Sequence, residues 1–328
     1  MRKCIKKAMA VFLILLMVCI VYTIYDNNRV VVKKQEISID NLPEEFEQFA
    51  ILQISDLHGK WFGKGQNRLL DLIDSLEYDV VLFTGDMNKG SLSDMQSSEA
   101  VFCIIDALAE REKPMYWVDG NDGPYALETQ QFSRGNLTEI GLLIQDKGCT
   151  VLDEPEAIRR GDAVIWLTPR ISLQHLNESY GEHILSGYSE EKRQAVLAFR
   201  DKLLGWYNQL NNNDQVKIAV THYPVQRYLS EITWPKLQEL DYDLIVSGHN
   251  HGGQIRIPGY GAIYIPSFSS ERGGYFPDQA DVKGLSEICG IPQYISAGLG
   301  ASDIYPFLAF RFFNTPEINL IILTGDSN

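Results

Sequence analysis

The chain has 328 residues, of which 29 are Lys or Arg and 43 are Asp or Glu, so its formal net charge is −14. Apolar residues make up 45% and charged residues 22%, a balance that is typical of globular proteins and excludes a wholly disordered or fibrous chain. Seven basic residues and one acid lie in residues 1–34, so residues 35–328 carry a net charge of −20 and are not expected to bind nucleic acid non-specifically. A phosphate substrate would therefore need another source of positive charge, such as a metal ion.

The first predicted element is the uncharged apolar segment 8–25, AMAVFLILLMVCIVYTIY. As a helix it would be about 27 Å long, close to the ~30 Å of a bilayer core. Four basic residues precede it and Asp26 follows, so the positive-inside rule predicts a single-pass anchor in the cell membrane, with a cytoplasmic N-terminus and an extracytoplasmic body. A cleavable signal peptide is the alternative. It is disfavoured because Tyr22, Ile24 and Tyr25 stand where a cleavage site would have small residues.

The remaining chain is expected to form one domain. Residues 1–34 comprise the basic tip, the anchor and a short linker, and no Gly/Ser-rich or charged linker divides residues 35–328. Apolar runs alternate with helical stretches, which indicates α/β units with parallel pairing; the runs are 49–55, 80–85, 115–120, 163–169, 217–222 and 244–249. Strand-like runs then follow with few helices, and these are expected to add antiparallel strands; they are 254–258, 262–266, 294–298, 308–313 and 318–323.

Five of the apolar runs are each followed by residues that can bind a metal ion. In chain order these residues are Asp56 and His58, Asp86 after Gly85, Asn121 after Gly120, His222, and His249 and His251 after Gly248. Taken singly, each motif is more often a turn or a structural polar group. In open α/β sheets, however, sites form beyond the carboxyl ends of strands, so one cleft could collect all of them. Carboxylates, four imidazoles and a carboxamide suit Mn, Fe or Zn better than Mg or Ca.

The order D-x-H, G-D, G-N, H and G-H-x-H resembles the calcineurin-like metallophosphoesterases over residues 51–254. The sequences at 248–254, 294–300 and 310–323 are similar to the membrane-associated bacterial subgroup, which includes exported envelope phosphodiesterases and UDP-diacylglucosamine pyrophosphatase-like enzymes. The resemblance implies an α/β fold, a four-layer α/β/β/α sandwich of two mixed sheets, here preceded by one transmembrane helix.

The resemblance also implies two divalent metal ions per chain. By position, one would be held by Asp56, His58 and His251, the other by Asn121, His222 and His249, with Asp86 bridging the two. Two ions ~3.5–4 Å apart can bind both non-bridging oxygens of a phosphate and lower the pKa of a shared water, which would attack phosphorus in line. No covalent enzyme intermediate is implied.

One position departs from the family pattern. The third motif commonly reads G-N-H-D or G-N-H-E, with its histidine near the leaving-group oxygen, whereas this chain has Gly120-Asn121-Asp122-Gly123. A carboxyl with a pKa near ~4 is mostly ionised at neutral pH, so Asp122 could donate a proton only if burial or a like charge raised its pKa. We therefore expect a substrate with a good leaving group, such as a pyrophosphate or aryl ester. The alternative is that Asp122 only caps the segment that follows.

These patterns predict a metal-dependent phosphodiesterase or pyrophosphatase that acts on a lipid-linked or envelope phosphate. The alternatives are a broad-specificity phosphomonoesterase or nucleotide phosphodiesterase and, from another class, a catalytically silent metal-binding protein. Residues 169–188 hold the two remaining histidines and are expected to form a lid or a surface insertion. The sequence Lys60-Trp61-Phe62 is expected to border the cleft or the membrane, or simply to pack.

Overall fold

The computed structural model describes residues 2–91, 93–128, 136–169, 189–226, 242–265, 274–288, 290–302 and 308–326. Apart from Pro169, the expected lid segment 169–188 lies outside the described residues. The described α-helices are α1 (Arg2–Asn27), α2 (Asn67–Ile73), α3 (Glu99–Ala109), α4 (Glu139–Asp146) and α5 (Glu190–Asn211).

The described strands form two six-stranded sheets and one short hairpin. In chain order they are β1 (Val31–Ile39), β2 (Ala50–Ile54), β3 (Val80–Thr84), β4 (Met115–Val118), β5 (Cys149–Val151), β6 (Glu156–Arg160), β7 (Ala163–Pro169), β8 (Val216–Val220), β9 (Leu244–Ser247), β10 (Arg256–Ile257), β11 (Gly261–Ala262), β12 (Gly284–Ile288), β13 (Ile291–Ile295) and β14 (Glu317–Gly325). The first sheet has the order β1-β14-β2-β3-β4-β5 and the second has the order β12-β13-β9-β8-β7-β6. Strands β10 and β11 form the hairpin.

Each sheet combines parallel and antiparallel pairs. Strands β2 to β5 are parallel to their neighbours, β14 is antiparallel to β2, and β1 is parallel to β14. In the second sheet, β13, β9, β8 and β7 are parallel, while β12 and β6 are antiparallel edge strands. Every residue of β2, β3, β8 and β9 is buried, as expected for parallel strands that are covered on both faces.

Three apolar clusters hold these layers together. Ile51 of the first sheet and Ile218 of the second lie in the cluster between the sheets. On the outer face of the first sheet, Phe83 packs in a cluster with residues of α2, α3 and α4. On the outer face of the second sheet, Ile245 packs with Leu210 of α5. The prediction of an α/β/β/α sandwich of two mixed sheets is therefore confirmed.

The N-terminal helix α1 stands apart from these layers. Among the described residues it is the one helix long and apolar enough to cross a membrane, although a signal sequence can share these properties. Its apolar side chains are exposed on all sides; Phe12, for example, is 64% exposed. A helix that is apolar all round is typical of a segment surrounded by lipid.

Two expectations for the last third of the chain were wrong. Residues 308–313 form no strand, and Phe312 makes only an isolated bridge to Ile255. The backbone of this segment is used elsewhere, because Arg311 N donates to Asn27 Oδ1 at 2.8 Å and Phe312 N donates to Gln254 O at 3.0 Å. In addition, β13 extends the second sheet in parallel with β9, where an antiparallel strand was expected.

Candidate metal centre

Five strands of the two sheets end at one cleft. Strands β2, β3 and β4 of the first sheet lead to Asp56 and His58, to Asp86, and to Asn121; strands β8 and β9 of the second lead to His222, and to His249 and His251. The structure brings these seven side chains, all predicted from the sequence, into two contiguous sets. We call Asp56, His58, Asp86 and His251 the inner group, and Asp86, Asn121, His222 and His249 the outer group.

The backbone turns sharply at the strand ends. Asp56, His58, Asp86, His249 and His251 have φ values between 48° and 71°. Non-glycine residues rarely adopt this left-handed region, and such strain clusters at functional sites. The turns direct neighbouring side chains of each short motif into the space between the sheets.

Glycine is required where two of these loops meet. A Cβ atom on Gly120 would lie 2.0 Å from Asp86 Oδ1, and one on Gly85 would lie 2.6 Å from His222 Nδ1. Any larger residue at these positions would push the carboxylate or the imidazole out of the cleft. The glycine of the G-D motif and that of the G-N motif are thus required because no side chain fits at either position.

The inner group is enclosed by protein. One ligand atom from each of its four members lies within 4.8 Å of the others. His251 Nε2 is 3.6 Å from Asp56 Oδ1, and His58 Nε2 is 3.6 Å from Asp86 Oδ2. All four side chains are buried, so water does not solvate the carboxylates.

The outer group converges on one nitrogen atom. His222 Nε2 lies 3.2 Å from Asp86 Oδ2, 3.1 Å from Asn121 Oδ1 and 3.1 Å from His249 Nδ1. His222 Nδ1 lies 2.8 Å from the carbonyl oxygen of Thr84, which can only accept, so Nδ1 carries the proton. Nε2 is then left to bind a cation. A histidine that donates its second N–H to a carbonyl is the usual arrangement at protein metal sites.

The charged side chains of the two groups change one another's pKa values. Burial raises the pKa of Asp56 to about 7, and the nearby charge of Asp86 acts in the same direction. Burial also opposes ionisation of Asp86, but His222 lowers the pKa of that carboxyl to about 2. His222 is itself buried, yet Asp86 raises its pKa to about 9. Two buried carboxylates among imidazoles therefore fit divalent cations in both charge and donor type.

Asp122 lies beside the inner group. Its Oδ2 is 3.4 Å from His58 Nδ1, and its backbone N donates to Asp86 Oδ1 at 2.7 Å. The carboxylate therefore faces His58, on the opposite side of the imidazole from the nitrogen that approaches Asp86. A carboxylate in this position can orient a histidine that binds a metal ion.

Sequence reasoning missed four residues that build or border the cleft. The carboxylate of Asp119 accepts hydrogen bonds from Trp117 Nε1 at 2.8 Å and from the backbone N atoms of Ala126 and Leu127 at 2.8 and 3.0 Å, which fixes the loop that carries Asn121. Within that loop, the Tyr125 hydroxyl donates to Asn121 O at 2.5 Å.

The other two missed residues each contact the loop that follows β9. Tyr223 is 47% exposed, and its ring centroid is 4.5 Å from that of His249. Arg311 is fully buried and donates to the carbonyl oxygens of Gly298 at 2.6 Å, of His251 at 2.9 Å and of Ala297. Tyr223 directly follows a motif histidine and could have been noticed, whereas nothing in its local sequence distinguishes Arg311.

Two mixed sheets between helices, with Asp, His and Asn side chains gathered where five strands end, define a metal-dependent phosphoesterase. The chain belongs to the calcineurin-like phosphoesterase family, whose family model matches residues 49–253.

It is 26% identical over 293 residues to the uncharacterized metallophosphoesterase YkoQ of Bacillus subtilis, covering 88% of each chain. It is 24% identical over 285 residues to the uncharacterized metallophosphoesterase YkuE of the same organism, covering 86% of this chain and 81% of that one. The predicted family and enzyme class are thus confirmed.

Proposed function

We propose that this protein is a membrane-anchored phosphodiesterase or pyrophosphatase with two divalent metal ions, Mn, Fe or Zn, and an extracytoplasmic catalytic domain. The observation that supports it best is the pair of ligand groups that share Asp86. One carboxylate with a ligand atom in each group is the arrangement that two adjacent cations require. The substrate class that we propose is a lipid-linked or envelope phosphate.

The two groups would hold one ion each. The inner ion would be held by Asp56, His58 and His251, the outer ion by Asn121, His222 and His249, and Asp86 would contact both. When bound, the ions would supply Lewis-acid stabilisation of the phosphate and a water of lowered pKa. The protein would contribute the fixed positions of the ligands and the exclusion of bulk water from the inner group.

The position of Asp122 supports a substrate with a good leaving group. Asp122 Oδ2 lies 3.4 Å from His58 Nδ1, a position that suits a carboxylate orienting a ligand histidine better than one that protonates a leaving group. We propose that Asp122 orients His58, and that the leaving group departs without strong help from an acid. Pyrophosphates and aryl esters meet this condition.

The end of α1 supports an uncleaved anchor rather than a cleaved signal peptide. Asp26 is fully buried and accepts hydrogen bonds from Arg29 Nε and Thr315 Oγ1, both at 2.8 Å. Asn27 makes two hydrogen bonds with the backbone of Arg311, at 2.8 and 2.6 Å. Removal of the helix would break these contacts, so we expect the membrane fraction of the host to contain the full-length chain.

The test is a metal add-back assay on the full chain in detergent. After chelation, bis-p-nitrophenyl phosphate and p-nitrophenyl phosphate are offered with Mn, Zn, Fe or Mg. We expect metal-dependent cleavage that is faster for the diester and is lost in Asp86→Ala. The exposed Asp106→Ala serves as control, since Asp106 pairs with Lys147 on the surface and is not part of either ligand group. Faster cleavage of the monoester would instead favour the phosphomonoesterase, and two bound metals without turnover would favour the silent metal protein.

A further inference from the structure

The helix α1 joins the folded body at the edge of the sheets that carries the metal site. Strand β1 begins at Val31, paired with Glu317 at the start of β14. Because β14 runs antiparallel to β2, its first residue lies beyond Ile54, at the end of β2 that leads to Asp56. The membrane helix therefore meets the body beside the cleft and not at the opposite edge of the sheets.

The joint between α1 and the body is braced by hydrogen bonds. Besides the bonds of Asp26 and Asn27, Lys60 Nζ donates to Asn27 O, and Arg68 Nη1 donates to Asn28 O at 3.2 Å. Lys60 lies two residues after His58, and Arg311, which binds Asn27, also binds His251 O. The helix end is thus tied by hydrogen bonds to the loops that carry His58 and His251.

Exposed aromatic side chains surround this joint. Trp61 is 42% exposed, Phe310 is 36% exposed and Phe313 is 40% exposed. Trp61 and Phe310 each adjoin a residue that contacts Asn27, and Phe313 packs on α1 itself. The ring of Phe313 lies 4.9 Å from that of Tyr22 in α1, and its φ of 48° is rare for a bulky residue. Strain held at an exposed aromatic residue indicates a constraint beyond packing of the body.

Exposed basic side chains lie at the joint, and one of them, Arg29, is paired with the buried Asp26. Arg29, Lys64 and Arg68 are exposed there, whereas residues 35–328 as a whole carry a net charge of −20. Basic side chains together with aromatic rings are the composition of protein surfaces that lie in the headgroup layer of a bilayer. A water-facing surface of this acidic protein would not be expected to combine them beside an apolar helix.

We propose that this juxtamembrane face, made of Trp61, Phe310, Phe313, Arg29, Lys64 and Arg68, docks on the headgroup layer of the bilayer that α1 crosses. The cleft then lies close to that layer, and the enzyme hydrolyses phosphates that are carried by lipids in the membrane in preference to free ones. The proposal rests on the anchor and on the phosphoesterase activity proposed above. It adds a defined contact surface and a preference for substrates at the interface.

Fluorescence quenching tests the contact directly. The full chain is reconstituted into vesicles of phosphatidylcholine and phosphatidylglycerol, with or without brominated acyl chains. We expect brominated lipid to quench part of the tryptophan emission of the wild type. In Trp61→Phe, which keeps an aromatic ring, this quenched part of the emission should be absent. Equal quenching of wild type and Trp61→Phe would overturn the docking.

A kinetic comparison tests the consequence for the substrate. Hexadecyl p-nitrophenyl phosphate in the vesicles is compared with soluble bis-p-nitrophenyl phosphate, using the double variant Trp61→Ser/Phe310→Ser. We expect the rate on the vesicle-borne ester to fall about fivefold while the rate on the soluble ester is unchanged. Leu142→Ser is the matched control, because Leu142 is 58% exposed on α4, which packs beside the distant edge strand β5. Equal rates for wild type and double variant on both esters, or equal losses on both, would overturn the proposal.

The two experiments separate this proposal from the proposed function. Turnover of the soluble ester with no quenching of Trp61 would overturn the docking and leave the phosphoesterase intact. Quenching of Trp61 without metal-dependent turnover would support the docking and overturn the proposed activity.

Discussion

The inner and outer groups share Asp86 but have different surroundings. The inner group is buried. The loop that carries His251 is stabilised by Arg311, whose guanidinium donates to three carbonyl oxygens. The outer group includes the exposed Asn121 and is bordered by the half-exposed Tyr223. Under the proposed function, the inner group would hold its ion in a closed, organised position, and the outer group would hold one that water and substrate can reach.

Removal of one histidine from each group is expected to give the largest effect. His251→Ala leaves Asp56 without its imidazole neighbour in a closed space, so we expect a loss of ~10³-fold in kcat/KM that excess Mn does not restore. In His249→Ala, water can take the open position, so we expect a loss of ~10²-fold that excess Mn partly reverses. Activity against Mn concentration, with metal content per chain, measures both. Equal losses and equal rescue would remove the distinction between the groups.

Arg311→Met is expected to weaken the inner group alone. The substitution keeps most of the side-chain length but leaves three buried carbonyl oxygens without their donor, which should lower the free energy of unfolding by about 3 kcal/mol. Chemical denaturation in detergent measures this, and metal titration should show weaker binding of one ion only. Arg111→Met is the control, since its exposed pair with Asp74 is worth at most about 1 kcal/mol. Similar destabilisation of both variants would mean that Arg311 is not a special support.

Two variants of Asp122 distinguish orientation from proton donation. An Asn side chain can still place an acceptor oxygen beside His58 Nδ1, whereas Ala cannot. We therefore expect Asp122→Asn to stay within about threefold of wild type and Asp122→Ala to lose ~10–100-fold, on aryl and alkyl diesters alike. Rates on both esters measure this. If Asp122→Asn loses activity mainly on the alkyl diester, Asp122 is the acid.

Tyr223 is expected to have the smallest effect, confined to the outer group. Its ring covers one side of His249, so Tyr223→Ala should admit water and weaken the outer ion by about 3–10-fold, while Tyr223→Phe keeps the ring and should be near wild type. Isothermal titration with Mn measures both variants. A loss in Tyr223→Phe as large as that in Tyr223→Ala would assign the effect to the hydroxyl.

The sequence was sufficient to predict which residues gather at the cleft, because each of the seven follows directly after an apolar strand. Strand ends are local features, and the geometry of α/β sheets brings them to one edge. Whether these residues bind metal in the predicted sets remains a prediction. The layer order of the fold came from the family resemblance and not from the pattern alone.

Features that depend on distant contacts were not predictable. Arg311 was placed in an expected strand, since LAFRFF alternates like one, but its function as a brace depends on Asn27 and His251. The parallel pairing of β13 with β9 depends on the path of the chain between them. Strand β1 was missed because most of its residues are exposed or half-exposed and its partner β14 comes last in the chain order.

The position of β14 has a consequence for biosynthesis. The last strand in chain order lies between β1 and β2, so neither of these early strands has its full set of partners until residues 317–325 have been made. At ~5–20 residues per second, the ribosome needs tens of seconds between β2 and β14. During that time β1 and β2 lack the strand that lies between them. The first sheet can thus take its final strand order only after β14 has been synthesised.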